Sequence, residues 1–114
     1  MDSQQAFLLQ HSAHNYERLV ERWHAVAEEA GLSIGKLVEH CDQDVYALRS
    51  DAEPDEKNGI YLCAGVHGDE PGGSEGLIAW AESHLQLLKE TPCMIFPCFN
   101  PSGILANTRM DAEK

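Results

Sequence analysis

The sequence has 114 residues, 43% of them hydrophobic, and its 19 acidic and 8 basic side chains give a net charge of −11. This length predicts at most one small domain, covering residues 1–114. The hydrophobic fraction is that of an ordinary globular protein. The negative charge argues against nucleic acid and anionic membranes as partners, because their phosphate groups would be repelled.

The cysteines and the hydropathy pattern bear on the compartment. The four cysteines show no C-x-x-C spacing, so we expect buried thiols in a reducing compartment and no disulfide framework. No signal peptide is visible, and no apolar run approaches the roughly 18 residues that a membrane span needs. These features predict a cytoplasmic protein. The cysteines are Cys41, Cys63, Cys93 and Cys98.

The first predicted element is a helix from Asn15 to Ala30. Apolar residues recur there at steps of three and four, which is the period of an amphipathic helix. Asn15 is a favoured N-cap residue, and Gly31 suits the C-terminal end. The predicted buried stripe consists of Tyr16, Leu19, Val20, Trp23, Ala27 and Ala30.

A hairpin and a loop follow this helix. Residues 34–40 and 45–49 have the composition of strands, and residues 41–44, with the sequence CDQD, are typical of a turn. Residues 50–59 are polar and acidic and contain proline and glycine, so they predict a surface loop.

The second half of the chain reads as a strand–helix–strand unit. Residues 60–66 carry no charge, which is typical of a strand buried on both faces of a parallel sheet. We expect a helix over residues 71–89 and a second apolar strand over residues 93–98. The overall prediction is an α/β fold with a mixed sheet of about four strands and flanking helices, in which the hairpin lies antiparallel beside the parallel pair.

His67 and Glu70 follow the first strand of this unit in an H-x-x-E arrangement. A neutral imidazole nitrogen and a carboxylate oxygen both suit Zn²⁺, although another divalent ion that accepts nitrogen and oxygen ligands remains open. An alternative is that Asp69 and Glu70 only favour the start of a helix through its dipole. We do not expect His84 to be a third metal ligand, because it lies more than three turns, about 20 Å, along the predicted helix from His67.

The carboxyl ends of two parallel strands meet at one edge of a sheet, which is where α/β proteins bind ligands. His67 and Glu70 leave the first strand at that edge, and Asn100-Pro101-Ser102-Gly103 leaves the second strand there. Arg109 follows nine residues after Asn100. It is either an ordinary surface arginine or a bidentate anchor for a substrate carboxylate.

The segments GVHGDEPGG and PCFNPSGILANTR, in this order, resemble the zinc carboxypeptidases. They are most similar to the murein peptide amidases and the related succinylglutamate desuccinylase–aspartoacylase group of deacylases. The resemblance covers roughly residues 34–114 and implies a partial zinc-carboxypeptidase-like fold. It further implies that His67 and Glu70 hold Zn²⁺, and that Arg109 and Asn100 contact a small peptide or acyl-amino-acid substrate.

The family that the chain resembles has three further functional segments for which this sequence has no counterpart. In that family a D-L-N-R-like segment, a third zinc-binding histidine and a glutamate acting as general base follow further along. We therefore expect an N-terminal portion of a zinc-dependent amide hydrolase that is inactive alone and contains no catalytic residue.

Two other interpretations stay open. The chain could be a non-catalytic protein that binds a carboxylate through Arg109, or an unrelated α/β interaction domain. Self-association through an open sheet edge is a further expectation, because two substantial helices are few for covering both faces of a sheet.

Overall fold

The computed structural model describes residues 14–55, 57–70 and 72–110. Helices and strands alternate irregularly along this part of the chain. In chain order they are α1 (Tyr16–Ala30), β1 (Ser33–His40), β2 (Gln43–Arg49), β3 (Ile60–Cys63), α2 (Gly72–Ser83), α3 (Leu85–Glu90), β4 (Cys93–Phe96) and α4 (Pro101–Ala106).

Helix α1 has the bounds that its sequence predicts. The side chain of Asn15 accepts a hydrogen bond from the backbone N–H of Arg18, which satisfies one of the free donors at the helix start. Gly31 ends the helix in the left-handed region, at φ +71°, where glycine has no Cβ penalty. The predicted apolar stripe faces the protein core, and Val26 joins it there.

Strands β1 and β2 form the predicted antiparallel hairpin. The turn is tighter than the predicted residues 41–44, because Gln43 and Asp44 already belong to β2. Cys41 and Asp42 both have positive φ, at +52° and +63°. Two consecutive left-handed residues match the right-handed twist of the flanking strands, which explains a two-residue connection.

The four strands form one mixed sheet in the order β1-β2-β4-β3. β2 pairs antiparallel with β4, and β3 pairs parallel with β4 from Ile60↔Cys93 to Cys63↔Phe96. This confirms both the predicted parallel pair and the antiparallel hairpin beside it. The carboxyl ends of β3 and β4 therefore lie side by side.

The core lies between one face of this sheet and the helices. Trp23 and Leu19 of α1 and Ile78 of α2 are almost completely buried there, together with Leu48 of β2 and Ile95 of β4. Arg22 joins α1 to α2 through bonds to Glu75 and Glu82. Within the described residues, no helix combines the length and the apolar character needed to cross a bilayer.

The expectation that residues 60–66 form a strand buried on both faces is wrong. β3 ends at Cys63 and is the outer strand of the sheet. Ile60 and Leu62 pack against the core, whereas the Tyr61 side chain is 64% exposed. The helices pack against only one face of the strand, so the alternate residues reach solvent.

The prediction that the cysteines are buried is right for two of the four. Cys93 and Cys98 are buried thiols, as expected. Cys63 is exposed because it lies on the uncovered face of β3, and Cys41 is half-buried in the hairpin turn. All four thiols are free.

The predicted helix over residues 71–89 is interrupted at His84, which separates α2 from α3. The Ser83 hydroxyl donates to the carbonyls of Ala79 and Trp80, and Nδ1 of His84 lies 2.7 Å from the Trp80 carbonyl oxygen. These side chains compete with the backbone for helix carbonyls. The residues after Asn100, for which no helix is predicted from the sequence, form the short helix α4.

Candidate metal and carboxylate site

His67 and Glu70 lie in the turn that leaves the carboxyl end of β3. The backbone N–H of Glu70 donates to the carbonyl of His67 over 3.1 Å, which closes the turn. The closure brings Nδ1 of His67 to 2.8 Å from Oε2 of Glu70. Both side chains reach solvent, with 34% of the histidine and 63% of the glutamate exposed. The two atoms can therefore be approached by the same dissolved ion.

The geometry of this pair fits two ligands of one zinc ion. Zinc binds nitrogen and oxygen at about 2.0–2.2 Å, so two ligand atoms on a tetrahedral ion lie about 3.3 Å apart. The 2.8 Å separation needs an opening of only about half an ångström, which side-chain rotation supplies. However, the part of the chain that the structure describes contains no group of three histidine, cysteine, aspartate or glutamate side chains suited to a metal. The pair is thus a partial ligand set.

Arg109 approaches the same turn from the segment after α4. Its Nη1 lies 3.9 Å from Oε1 of Glu70. The Arg109 side chain is 58% exposed, so this ion pair is weakly stabilising and leaves the arginine accessible. The Arg109 backbone is also fixed, because its carbonyl accepts a hydrogen bond from the N–H of Gly68. A positive group capable of bidentate bonds therefore lies beside the histidine–glutamate pair.

Asn100 joins the segments that carry these residues. Its side chain is buried, and Oδ1 accepts a hydrogen bond from the N–H of Gly103 as the N-cap of α4. Its Nδ2 donates to the carbonyl of Val66 over 3.3 Å and to that of Arg109 over 3.2 Å. The sequence predicts a role for Asn100 at this edge but does not indicate these bonds.

Two glycines allow this close approach. A Cβ on Gly68 would lie 2.0 Å from the carbonyl carbon of Gly103 and 2.4 Å from the carbonyl oxygen of Thr108. Gly65 has φ +72°, and a Cβ there would lie 2.6 Å from Sγ of Cys98. Both positions therefore require glycine. The spacing of glycines around the histidine is the sequence signal that could have pointed to this packing.

The turn packs on a layer of small buried residues. Cys98 is buried against Gly65 and near Ser74, the first buried residue of α2. Burial raises the pKa of the Cys98 thiol to about 11. The thiol is therefore protonated at neutral pH and acts as a small apolar group beneath the turn.

The structure brings together all four residues that the sequence singled out. His67, Glu70, Asn100 and Arg109 lie at the carboxyl ends of β3 and β4, as the parallel arrangement predicts. His84 lies away from them, at the junction of α2 and α3. Metal binding and substrate binding by the four remain predictions.

Comparison with solved structures identifies the fold. A candidate metallopeptidase from Shewanella amazonensis superposes with a TM-score of 0.77 at 22% identity over 89% of this chain. A candidate carboxypeptidase A from Shewanella denitrificans gives 0.69 at 20% identity over 82% of the chain. A metallo-carboxypeptidase from Burkholderia cenocepacia gives 0.61 at 23% identity over 84%. These comparisons confirm the predicted carboxypeptidase-like fold.

The match covers only part of each longer protein. The chain spans 38%, 27% and 30% of the lengths of these three structures, respectively. No protein-family model and no curated protein sequence matches the chain.

Proposed function

We propose that this chain carries part of the active site of a zinc-dependent hydrolase that cleaves an amide bond next to a free carboxylate. The observation that carries the proposal is the His67–Glu70 pair, 2.8 Å apart, with Arg109 beside it at the carboxyl edge of a carboxypeptidase-like sheet. The substrate class is a peptide with a free C-terminus or an acyl-amino acid.

The roles of the residues follow from their chemistry. A bound Zn²⁺ supplies Lewis acidity and lowers the pKa of water toward about 7. Nδ1 of His67 and a carboxylate oxygen of Glu70 would hold the ion. The Arg109 guanidinium binds the substrate carboxylate through two parallel hydrogen bonds, which places the neighbouring amide at a fixed distance from the metal ligands.

We expect weak zinc binding by these 114 residues, because catalytic zinc sites usually have three protein ligands. Isothermal calorimetry with Zn²⁺ measures the affinity. We expect a Kd weaker than micromolar that is lost in His67→Ala. The matched control is His24→Ala, since His24 is exposed on α1 and remote from the turn, and it should leave the titration unchanged. Equal titrations for the two variants would contradict the proposal.

We expect no hydrolysis by the chain alone when zinc is added. The described residues offer two metal ligands and no further carboxylate or histidine grouped with them that would act as a general base. The assay measures release of the free amino acid from an acyl-amino acid and from a peptide. Cleavage above background that disappears in Glu70→Gln would show that the chain contains a complete site.

A second candidate function is carboxylate binding without catalysis. The exposure of the Arg109 guanidinium favours it, because the group is available without any metal. The two candidates differ in their metal dependence. Binding of an acyl-amino acid that persists in His67→Ala and disappears in Arg109→Gln would favour the non-catalytic function.

A further inference from the structure

Two segments form the candidate site, and a single side chain is bonded to both. We name residues 66–70 the ligand turn, because it carries His67 and Glu70, and residues 107–110 the arginine segment. Asn100 Nδ2 donates to the Val66 carbonyl at the start of the ligand turn and to the Arg109 carbonyl in the arginine segment. The Val66 and Arg109 carbonyls are 43 positions apart in sequence, and this one amide bonds both.

The bonds leave Asn100 no free N–H for a ligand. An asparagine amide has two N–H donors, and both have backbone acceptors here. Its oxygen accepts from Gly103 as a helix cap, and only 7% of the residue is exposed. Because both N–H groups are used and the residue is buried, Asn100 is connected to the site through the two carbonyls.

The contacts around Asn100 make this connection stiff. The N–H of Gly68 donates to the same Arg109 carbonyl over 3.3 Å. The Arg109 oxygen therefore accepts one bond from Gly68 and one from Asn100. Gly68 itself lies against Gly103, with no room for a Cβ between them. Motion of the ligand turn away from α4 therefore breaks several contacts at once.

We propose that Asn100 is a positioning residue that fixes the distance between the His67–Glu70 pair and Arg109. This inference rests on the proposed function, and it replaces substrate contact by Asn100 with an indirect role. Hydrogen bonds that orient metal ligands from outside are typically worth 10–100-fold in metal affinity. The same bonds set the distance from the metal ligands to the guanidinium.

We call the two hydrogen bonds from Asn100 Nδ2 the clamp. The test separates the clamp from the helix cap that the Asn100 oxygen provides. Asn100→Ser and Asn100→Asp both keep an oxygen able to accept from the Gly103 N–H, but neither can donate to both carbonyls. The control is Asn15→Ala, which removes the analogous cap bond of α1 without touching the site. Calorimetry with Zn²⁺ and the urea midpoint are measured for all three variants.

We expect about a 10-fold or greater loss of zinc affinity in both Asn100 variants. Asn15→Ala should lower the urea midpoint and leave the zinc affinity unchanged. Unchanged zinc affinity in folded Asn100→Ser would overturn the inference. Absence of zinc binding by the unmutated chain would instead contradict the proposed function.

Hydrogen exchange tests the clamp without any metal. In the unmutated chain, the Asn100 side-chain amide protons and the Gly68 N–H should exchange slowly, because they are bonded and shielded. The Gly68 N–H should exchange faster in Asn100→Ser but not in Asn15→Ala. Rapid exchange of the Asn100 amide protons in the unmutated chain would refute the clamp even if no variant folds.

Discussion

Burial separates the thiols into two classes at the scale of single residues. Cys98 is buried and its pKa is raised to about 11, so its thiol stays protonated at pH 8. Burial also raises the pKa of the Cys93 thiol. Cys63 is exposed on the open face of β3.

We therefore expect iodoacetamide at pH 8 to alkylate Cys63 in the native protein and to spare Cys93 and Cys98 until urea unfolds the chain. Mass spectrometry of digested peptides gives the modified fraction at each site. Alkylation of Cys98 as fast as Cys63 would show that the layer beneath the ligand turn is open to solvent.

Arg22 makes the stability of the fold depend on pH. Hydrogen bonds from its guanidinium hold the pKa of Glu82 below the usual range. A lowered folded-state pKa stabilises the protein above the unfolded carboxyl pKa of about 4.3, and the contribution disappears as pH falls through the folded value. The Glu82 side chain is 41% exposed, so solvent screening limits the contribution to about 1 kcal/mol or less.

We expect Arg22→Met to lower the free energy of unfolding at pH 7 and to have a smaller effect at pH 3. Urea unfolding at both values measures the difference. An effect that is equal at the two pH values would mean that the arginine stabilises through packing of its stem alone.

The residues of the candidate site were partly predictable from sequence. His67 and Glu70 could be found because a strand pattern breaks abruptly into ionisable residues, and parallel strands bring Asn100 and Arg109 to the same edge. The role of the Asn100 amide could not be predicted, because its hydrogen-bond acceptors are backbone carbonyls. Every residue carries such a carbonyl, so the sequence does not indicate which carbonyls the Asn100 amide bonds.

At the scale of elements, the contact between the ligand turn and α4 depends on Gly68. Gly68→Ala should destabilise the protein by about 1–3 kcal/mol, the usual cost of overpacking, because its Cβ meets the Gly103 backbone. Gly73→Ala is the matched control, since Gly73 lies in α2 with open space around it and alanine favours a helix. Thermal unfolding distinguishes them, and equal midpoints would contradict the packing described here.

Strong local signals explain which elements were predictable. α1 has a cap at each end and a continuous apolar stripe, and the hairpin strands flank a turn-like segment, so their presence follows from sequence. The break at His84 depends on side chains that bond helix carbonyls, which periodicity does not report. α4 has only six residues and contains the turn-forming Pro101-Ser102-Gly103, so its sequence resembles a loop.

The exposure of β3 could not be predicted because an uncharged run has the same composition in a covered strand and an edge strand. Which of the two it becomes depends on the order of strands and on where the helices pack. Both are properties of the whole sheet.

At the scale of the whole molecule, the face of the sheet opposite the helices presents apolar groups at its outer strand. Tyr61 of β3 is exposed, and the side chains of Val66 and Phe99 are 58% and 40% exposed near the strand ends. An uncharged edge strand can pair with another strand through its free backbone groups. We propose that the chain self-associates through β3, although its net charge of −11 opposes association at low salt.

We expect sedimentation velocity in 0.5 M salt to show dimers that increase with protein concentration. Tyr61→Lys should restore the monomer, because a charged side chain blocks edge pairing. Leu87→Lys is the control, since Leu87 is also an exposed apolar residue but lies on α3. A sedimentation coefficient of the unmutated chain that stays monomeric at every concentration would rule out this association.

We expect His67 and Glu70 to bind a divalent metal together at the carboxyl edge of the sheet. The most direct test of this binding is nitrogen NMR of the chain with labelled histidine rings during a titration with Zn²⁺. Because Nδ1 of His67 is the ring nitrogen beside Glu70, we expect that resonance to shift, and the other five histidines to stay unchanged. The shift should be absent in Glu70→Gln. A shift confined to another histidine, or no shift at any histidine, would contradict metal binding by this pair.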